Sequence, residues 1–333
     1  MGENSAISWT HHTHNEWIGC QRVSPGCGGA VGVGGCYAQV SAPVRIQRSK
    51  GVELWGPPAT AQRMRTSEDN RKKPFAWNRK AEKLGVRYRV FCSSLSDVFE
   101  DHPAVHEWRK ELFVTIEQTP HLDWQLLTKR PENLRRFLPQ AWLEEPLPHV
   151  WLGTTVEDQK RANERIPHLL ATPASVRFLS CEPLLEAVDL NPPRCQYCRD
   201  GGEVVEGDPP WCVRCDSEAV FGHWLDACAS PKQPGINWVI VGGESGPGAR
   251  PFNVEWAEFL LADCELAKVP CFIKQMGSAA YDPREAGPGD EVHPQGAAYD
   301  PDCRLPLSDR SGADPEEWGE HLRVQQFPEV SRG

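Results

Sequence analysis

Three cysteines near the beginning of the chain are the residues whose type and spacing say most about chemistry. They stand in the run Ile18-Gly19-Cys20-Gln21-Arg22-Val23-Ser24-Pro25-Gly26-Cys27, which is closed by Cys36-Tyr37-Ala38. Three thiolates on one loop can hold three corners of a [4Fe–4S] cluster and leave the fourth iron open to a substrate or cofactor. An open iron means reactivity rather than electron storage, so the loop points to an enzyme. Gly19, Gly26 and the glycine-rich stretch 28–35 let the backbone curl around a bulky inorganic cube, and Pro25-Gly26 turns it just before the second cysteine. Ligand type and strand context favour iron–sulfur over a zinc knuckle or a set of buried thiols.

A second constellation is Cys195-x2-Cys198-x13-Cys212-x2-Cys215. Paired knuckles place two thiolates on each of two tight turns, as tetrahedral zinc requires, and the Gly/Pro/Asp-rich surroundings lack the strand–helix setting of a redox pair. A structural zinc ribbon is expected, with the metal supplying much of the folding energy of so small an insertion. His223 and Cys228 are read as bystanders, and Cys92, Cys181, Cys264, Cys271 and Cys303 as small buried apolar residues. His11, His12 and His14 are read as solvated or satisfied by backbone rather than as ligands. Thirteen tryptophans could stack on bases, but Trp124, Trp151 and Trp238 fall in predicted strands and read as core.

Elements able to position these groups recur along the chain. Short apolar, β-branched runs occur at Val90–Cys92, Trp124–Leu127, Val150–Leu152, Val176–Leu179, Trp238–Val241 and Cys271–Ile273, with amphipathic stretches such as His106–Phe113 and Val254–Leu261 between them. Strand–helix alternation implies a parallel sheet with helices outside, and six or seven such units suit a partial (β/α) barrel, an α/β fold. The residues after these runs are polar: Ser93-Ser94-Leu95-Ser96-Asp97, Thr128-Lys129-Arg130, Gly153-Thr154-Thr155-Val156-Glu157, Ser180-Cys181-Glu182-Pro183, Gly242-Gly243-Glu244-Ser245 and Lys274-Gln275. One alone could be turn chemistry, but six in corresponding positions make a ring of donors and acceptors.

The barrel is expected over 1–277, interrupted by the ribbon at 192–234 and followed by a loop-rich acidic extension at 278–333. That extension contains an echo of AAYDP, at Ala279–Pro283 and Ala297–Pro301, too short for a structural repeat. Net charge is −10, yet Arg45–Arg89 holds thirteen Arg/Lys against four acids, so the rest is more acidic than the total suggests. Such a segment could contact nucleic-acid phosphates or form a solvated charged face. No apolar run reaches membrane-spanning length and the N-terminus has no signal-like core, so a cytoplasmic location without membrane contact is expected.

Across most of residues 7–277 the chain resembles a phage-encoded, radical-SAM-like family described only as phage proteins of unknown function. The likeness is carried by WIGCQRVSPGC…CYA, VFCSSLSDVFED, WQLLTKRPENL, VWLGTTVEDQ, RFLSCEPLLE, WVIVGGESGPGARPF and VPCFIKQMG. It resumes at Arg310–Trp318 and Leu322–Val324. One departure is the spacer: that family sets its second and third cysteines two residues apart, whereas GGAVGVGG separates Cys27 from Cys36. Closing the longer loop costs about a few tenths of a kcal/mol.

The resemblance implies that the cluster chelates S-adenosylmethionine and, given one electron from an external flavodoxin- or ferredoxin-type donor, yields a 5′-deoxyadenosyl radical. The protein's tasks would be to aim that radical and exclude water. Ser93, Ser94, Asp97, Thr128, Lys129, Thr154, Thr155 and Glu157 are then candidates for holding the cofactor, with Glu182, Glu244, Lys274 and Gln275 on the substrate side, Glu182, Glu244 and Lys274 as candidate catalytic groups. Glu244 lies in a GGE triplet, which in radical SAM enzymes often follows an earlier strand, so the cofactor role is not carried over to it. The reaction expected is modification or rearrangement of a nucleic-acid base, as in phage DNA hypermodification of a thymidine, by an isomerase, lyase or transferase acting in the host cytoplasm. The rivals are a non-catalytic, zinc-stabilised nucleic-acid-binding module and a radical lyase that repairs damaged bases.

Overall fold

All six apolar runs are strands of one parallel sheet, and a further strand precedes them. In chain order they are β1 (His12–His14), β2 (Tyr88–Cys92), β3 (Leu122–Thr128), β4 (Val150–Thr155), β5 (Val176–Cys181), β6 (Trp238–Gly242) and β7 (Cys271–Gln275). Their order in the sheet is their order in the chain, and every neighbouring pair is parallel. The computed structural model describes residues 3–28, 36–190, 235–285 and 303–329, with the pieces 204–205, 211–212, 217–218 and 224–225. The main helices are α1 (Ala42–Ser49), α2 (Glu68–Leu84), α3 (His106–Glu117), α4 (Gln159–Leu170) and α5 (Val254–Ala267).

Both faces of the sheet are covered, so its strands carry no clean polar alternation. Val90, Cys92, Trp124, Leu126, Leu152, Leu179 and Val241 belong to the large core shared with the helices. Trp9, Phe91, Trp151, Phe178, Trp238, Ile240 and Phe272 form a separate, largely aromatic core on the other face. Trp9, just ahead of β1, meets Trp238 of β6 with ring centroids 6.2 Å apart. In a flat sheet the first and sixth strands would lie about 24 Å apart. The sheet is therefore curled into a half-barrel with the aromatic core inside. Gly153 permits part of that core, because a Cβ there would sit 2.4 Å from the Phe178 ring.

β1 has no apolar run, and its buried histidines differ from a solvated cluster. His12 stacks on Trp77 of α2 at 4.3 Å and His14 sets its edge against Trp124 at 5.5 Å. The His11 ring accepts the Arg89 amide at 2.9 Å. Burial, reinforced by Arg89 and His12, lowers the pKa of His11 to about 4. Burial likewise lowers that of His12.

The segment after 277 returns to the sheet. The amide of Ile273 donates to Val324 O at 2.8 Å, that of Gln326 to Cys271 O at 2.9 Å, and the Trp238 indole to Gln326 O at 2.9 Å. Phe327 then packs on Trp238 and Phe272 while the Arg89 guanidinium lies 3.7 Å over its ring. The tail thus bridges β7 to the start of β2 across the open side of the half-barrel. Ala280–Tyr281, in the first AAYDP, pairs with Phe252–Asn253, and the second copy lies outside the described residues. Within the insertion, Trp211–Cys212 is the middle strand of a small antiparallel sheet between Val204–Val205 and Ser217–Glu218. Cys195, Cys198 and Cys215, the side chain of Cys212, His223 and Cys228 lie outside the described residues, so the zinc expectation does too. Among the described residues no helix is long and apolar enough to cross a membrane.

Phe327→Ala removes the half-buried ring that links the two sides, and we expect it to lower unfolding stability by about 2 kcal/mol. A urea titration reads this directly, and a change within error would mean that the tail does not brace the sheet.

Candidate functional site

The loop with the three cysteines begins where β1 ends, at the mouth formed by the C-terminal ends of the strands. Trp17–Ile18 pairs with Met64–Arg65 and steers the chain into it. Gly19 follows with φ +115°, and a Cβ there would lie 2.6 Å from Leu54 O, so glycine is required where the loop crosses residues 54–56. Cys20 is bonded to those residues on both sides, its amide to Leu54 O at 3.3 Å and its carbonyl accepting from Gly56 at 3.0 Å. Further on, the Cys36 amide donates to Cys27 O at 3.3 Å, which holds the second and third cysteines together despite the glycine spacer.

Three strand ends clamp this loop. From β3, Arg130 donates to Cys20 Sγ at 3.6 Å and to Gln21 O at 2.7 Å. From β4, Glu157 accepts the Gly26 amide at 3.3 Å, and Arg165 of α4 holds the other carboxylate oxygen at 2.7 Å. From β6, Arg250 donates to Pro25 O at 2.8 Å while its guanidinium is paired with Glu244. A fourth contact comes from the loop itself, where the Tyr37 hydroxyl donates to Ser94 O at 2.7 Å.

Arg130 is itself built into a buried network. Asp97 accepts from Arg130 at 2.8 Å, Thr128 at 2.7 Å, and the amides of Phe99 and Lys129 at 2.9 and 3.1 Å. Burial alone would raise the Asp97 carboxyl, but Arg130 and these hydrogen bonds outweigh it and hold it below the usual carboxylate range. Glu100, 3.7 Å from Arg130, is held by two 2.7 Å bonds from Arg63, whose other donors reach the carbonyls of Leu54, Gln62 and Gly56. Glu157 follows the same pattern: burial pushes its pKa up, and Lys129 and Arg165 bring it below the ordinary value. Burial raises the thiols of Cys20 and Cys36, opposed by Arg130 and Lys129 respectively.

Of the expected cofactor residues, Lys129 and Thr155 meet inside the mouth, with the ammonium 3.2 Å from the hydroxyl. Ser94 lies at the rim and accepts from Asn15 at 2.9 Å. Ser93 is buried, with φ +70°. Asp97, Thr128 and Glu157 are taken up by the internal bonds above. Thr154 is fully buried and its hydroxyl is given to Thr128 O at 3.0 Å, so it does not face the mouth. On the far side Glu182 is joined directly to Lys274 and Glu244 to Arg250. Gln275 donates to Gly243 O at 2.7 Å instead of reaching the mouth. Arg130 stood in the polar ring of strand ends without a role of its own, and nothing in their local pattern singled out Arg165, Arg250 or Tyr37, although Tyr37 follows Cys36 directly. Among the described residues no three His, Cys, Asp or Glu side chains converge closely enough for a single metal ion.

Seven of the thirteen cations of the basic segment, Arg48, Arg63, Arg65, Arg71, Lys72, Lys80 and Arg87, pair with carboxylates, and Arg89 lies on Phe327. A parallel half-barrel with a cysteine loop clamped over the C-terminal ends of its strands defines the class of protein. The chain belongs to the family described as protein of unknown function DUF5131, whose model matches residues 4–323. No curated protein and no solved structure matches it.

Asp97→Asn leaves Arg130 without its full countercharge, and we expect a loss of about 3 kcal/mol at pH 7. The folded pKa of Asp97 lies below its unfolded value, so its contribution is complete above about pH 4 and is lost as pH falls through the folded value. Urea midpoints from pH 7 to pH 3 should therefore fall more steeply for the wild type than for Asp97→Asn. Parallel curves would show that the carboxylate does not carry the network.

Proposed function

We propose that this protein is a radical S-adenosylmethionine enzyme that holds a [4Fe–4S] cluster on Cys20, Cys27 and Cys36 in a partial (β/α) barrel. One observation carries the reading: the three-cysteine loop leaves the first strand of a parallel half-barrel and is clamped over its mouth by β3, β4 and β6. The chemistry of the donor set suits such a group: its thiols are flanked by Arg130 and Lys129, cations that would balance an anionic thiolate-ligated cluster. When bound, the cluster supplies one electron that splits S-adenosylmethionine into methionine and a 5′-deoxyadenosyl radical.

The remaining work belongs to the chain's own side chains. Arg130, Glu157 and Arg250 orient the loop through its carbonyls, its Gly26 amide and the Cys20 sulfur. Lys129, steadied by Thr155, offers a cationic donor within the mouth. The ion pairs Glu182–Lys274 and Glu244–Arg250 supply charged groups on the opposite side for a polar substrate. Phe91, Trp151 and Phe178 fill the barrel interior beneath and exclude water.

For substrate we propose a nucleic-acid base, modified in a phage-type DNA hypermodification pathway in the cytoplasm, a reading supported by the sequence likeness. An external flavodoxin- or ferredoxin-type protein would donate the electron. A structural zinc on Cys195, Cys198, Cys212 and Cys215 rests on their spacing.

Anaerobic reconstitution with iron and sulfide should give a brown protein absorbing near about 400 nm. Cys20→Ala, Cys27→Ala and Cys36→Ala should each lose most of that band, and the wild type should form 5′-deoxyadenosine from S-adenosylmethionine and dithionite. Zinc as the sole metal, with no such band, would overturn the reading in favour of a zinc-stabilised binding module.

A further inference from the structure

From Trp17 to Val52 the chain contains no Asp or Glu, although its net charge is −10. All three mouth cysteines fall in this stretch, together with the cations Arg22, Arg45, Arg48 and Lys50. The stretch also concentrates exposed apolar side chains. Val23 is 41% exposed, Tyr37 59%, Val40 63% and Ile46 52%, four of the nine large apolar side chains left exposed among the described residues.

One contact ties the two ends of this loop together: the Arg22 guanidinium donates to Gln39 Oε1 at 2.6 Å, a bond between the sequence neighbours of Val23 and Val40. α1 starts immediately afterwards and buries Val44 against Ile18, Ala38, Leu54 and Trp55, leaving Arg45 and Ile46 on its outer side. Among the described residues no carboxylate pairs with Arg45 or Lys50, and Arg48 is held by Glu53 at 3.0 Å.

We propose that this face, an aliphatic centre with a cationic rim on the cysteine loop and α1, is the docking surface for a small acidic one-electron carrier protein. The proposal rests on the cluster reading and adds to it the place where the electron enters. An exposed apolar centre within a polar rim is the anatomy of a protein–protein contact, and a transient electron-transfer encounter needs only a small one. Three of the four exposed apolar groups, Val23, Val40 and Ile46, are aliphatic and offer nothing to a phosphate or a stacked base. An acidic carrier is repelled by the acidic remainder of the surface and steered towards Arg45 and Lys50, with which no carboxylate pairs among the described residues. In the transfer, the carrier's anionic flavin hydroquinone loses one electron and becomes the neutral semiquinone. That electron enters the cluster on the three cysteines, and no proton moves and no bond forms or breaks.

The test uses the full chain and a bacterial flavodoxin, with binding measured by calorimetry at low salt and the rate of cluster bleaching by flavodoxin hydroquinone followed beside it. Ile46→Glu and Arg45→Glu should each weaken flavodoxin binding and slow bleaching by about tenfold, and wild-type binding should weaken as salt rises. Bleaching by dithionite should be unchanged in both variants, which reports an intact fold and cluster. Wild-type affinity in both variants would overturn the proposal, as would a face that binds an oligonucleotide but not flavodoxin and loses the oligonucleotide in the same variants. If the wild type holds no cluster, the proposed chemistry fails, while the calorimetric titration, which needs no cluster, still decides whether the face binds the carrier.

Discussion

The Arg130 guanidinium ties the chemistry of this protein to its architecture. It stands directly after β3, and in one planar group it meets the Asp97 carboxylate, the Gln21 carbonyl and the Cys20 sulfur, with Glu100 close by. Desolvating so many charges is costly, and the arrangement is favourable only because nearly every donor and acceptor in it is matched. Arg63 completes the set by satisfying Glu100 and the carbonyls of Gln62, Leu54 and Gly56, the last two in the segment to which Cys20 is bonded. Two arginines and two acids thus fix the Cys20 end of the loop and the position of its sulfur.

The same logic repeats around the mouth. Glu157 reaches the loop at Gly26 and is anchored by Arg165, and Arg250 reaches it at Pro25 and is anchored by Glu244. Each clamp is a charged side chain held at one end by its countercharge and bonded at the other to a backbone group of the loop. A ring of polar residues at strand ends therefore serves two purposes. Some members, such as Asp97 and Thr154, are spent inside the wall, and others, such as Lys129 and the Glu182–Lys274 pair, remain partly exposed.

At the opposite end the half-barrel is closed by aromatic packing. Trp9, Trp238, Phe272 and Phe327 come from four separate parts of the chain and meet at the starts of the strands, with Arg89 lying over the last ring. The tail adds backbone pairing to the exposed edge of β7, so an edge that would otherwise offer unpaired amides is covered.

The strands from β2 to β7 were legible in the chain because each is a short apolar, β-branched run whose burial on both faces needs no knowledge of its neighbours. The cysteine loop and the polar strand ends were legible for a related reason: their chemistry is carried by residue type and local spacing. β1 was not, since His12 and His14 become core residues only against Trp77 and Trp124, which lie far along the chain. Nor could spacing show that Thr154 gives its hydroxyl to Thr128 O while Thr155 meets Lys129, a difference that follows from strand alternation. The partners of Arg130 and Arg250, the closing role of Phe327 and the carboxylates that pair with part of the basic segment were decided by tertiary structure alone. Ion pairing and ring packing depend on distance in space, and residues over a hundred positions apart become neighbours only when the sheet curls.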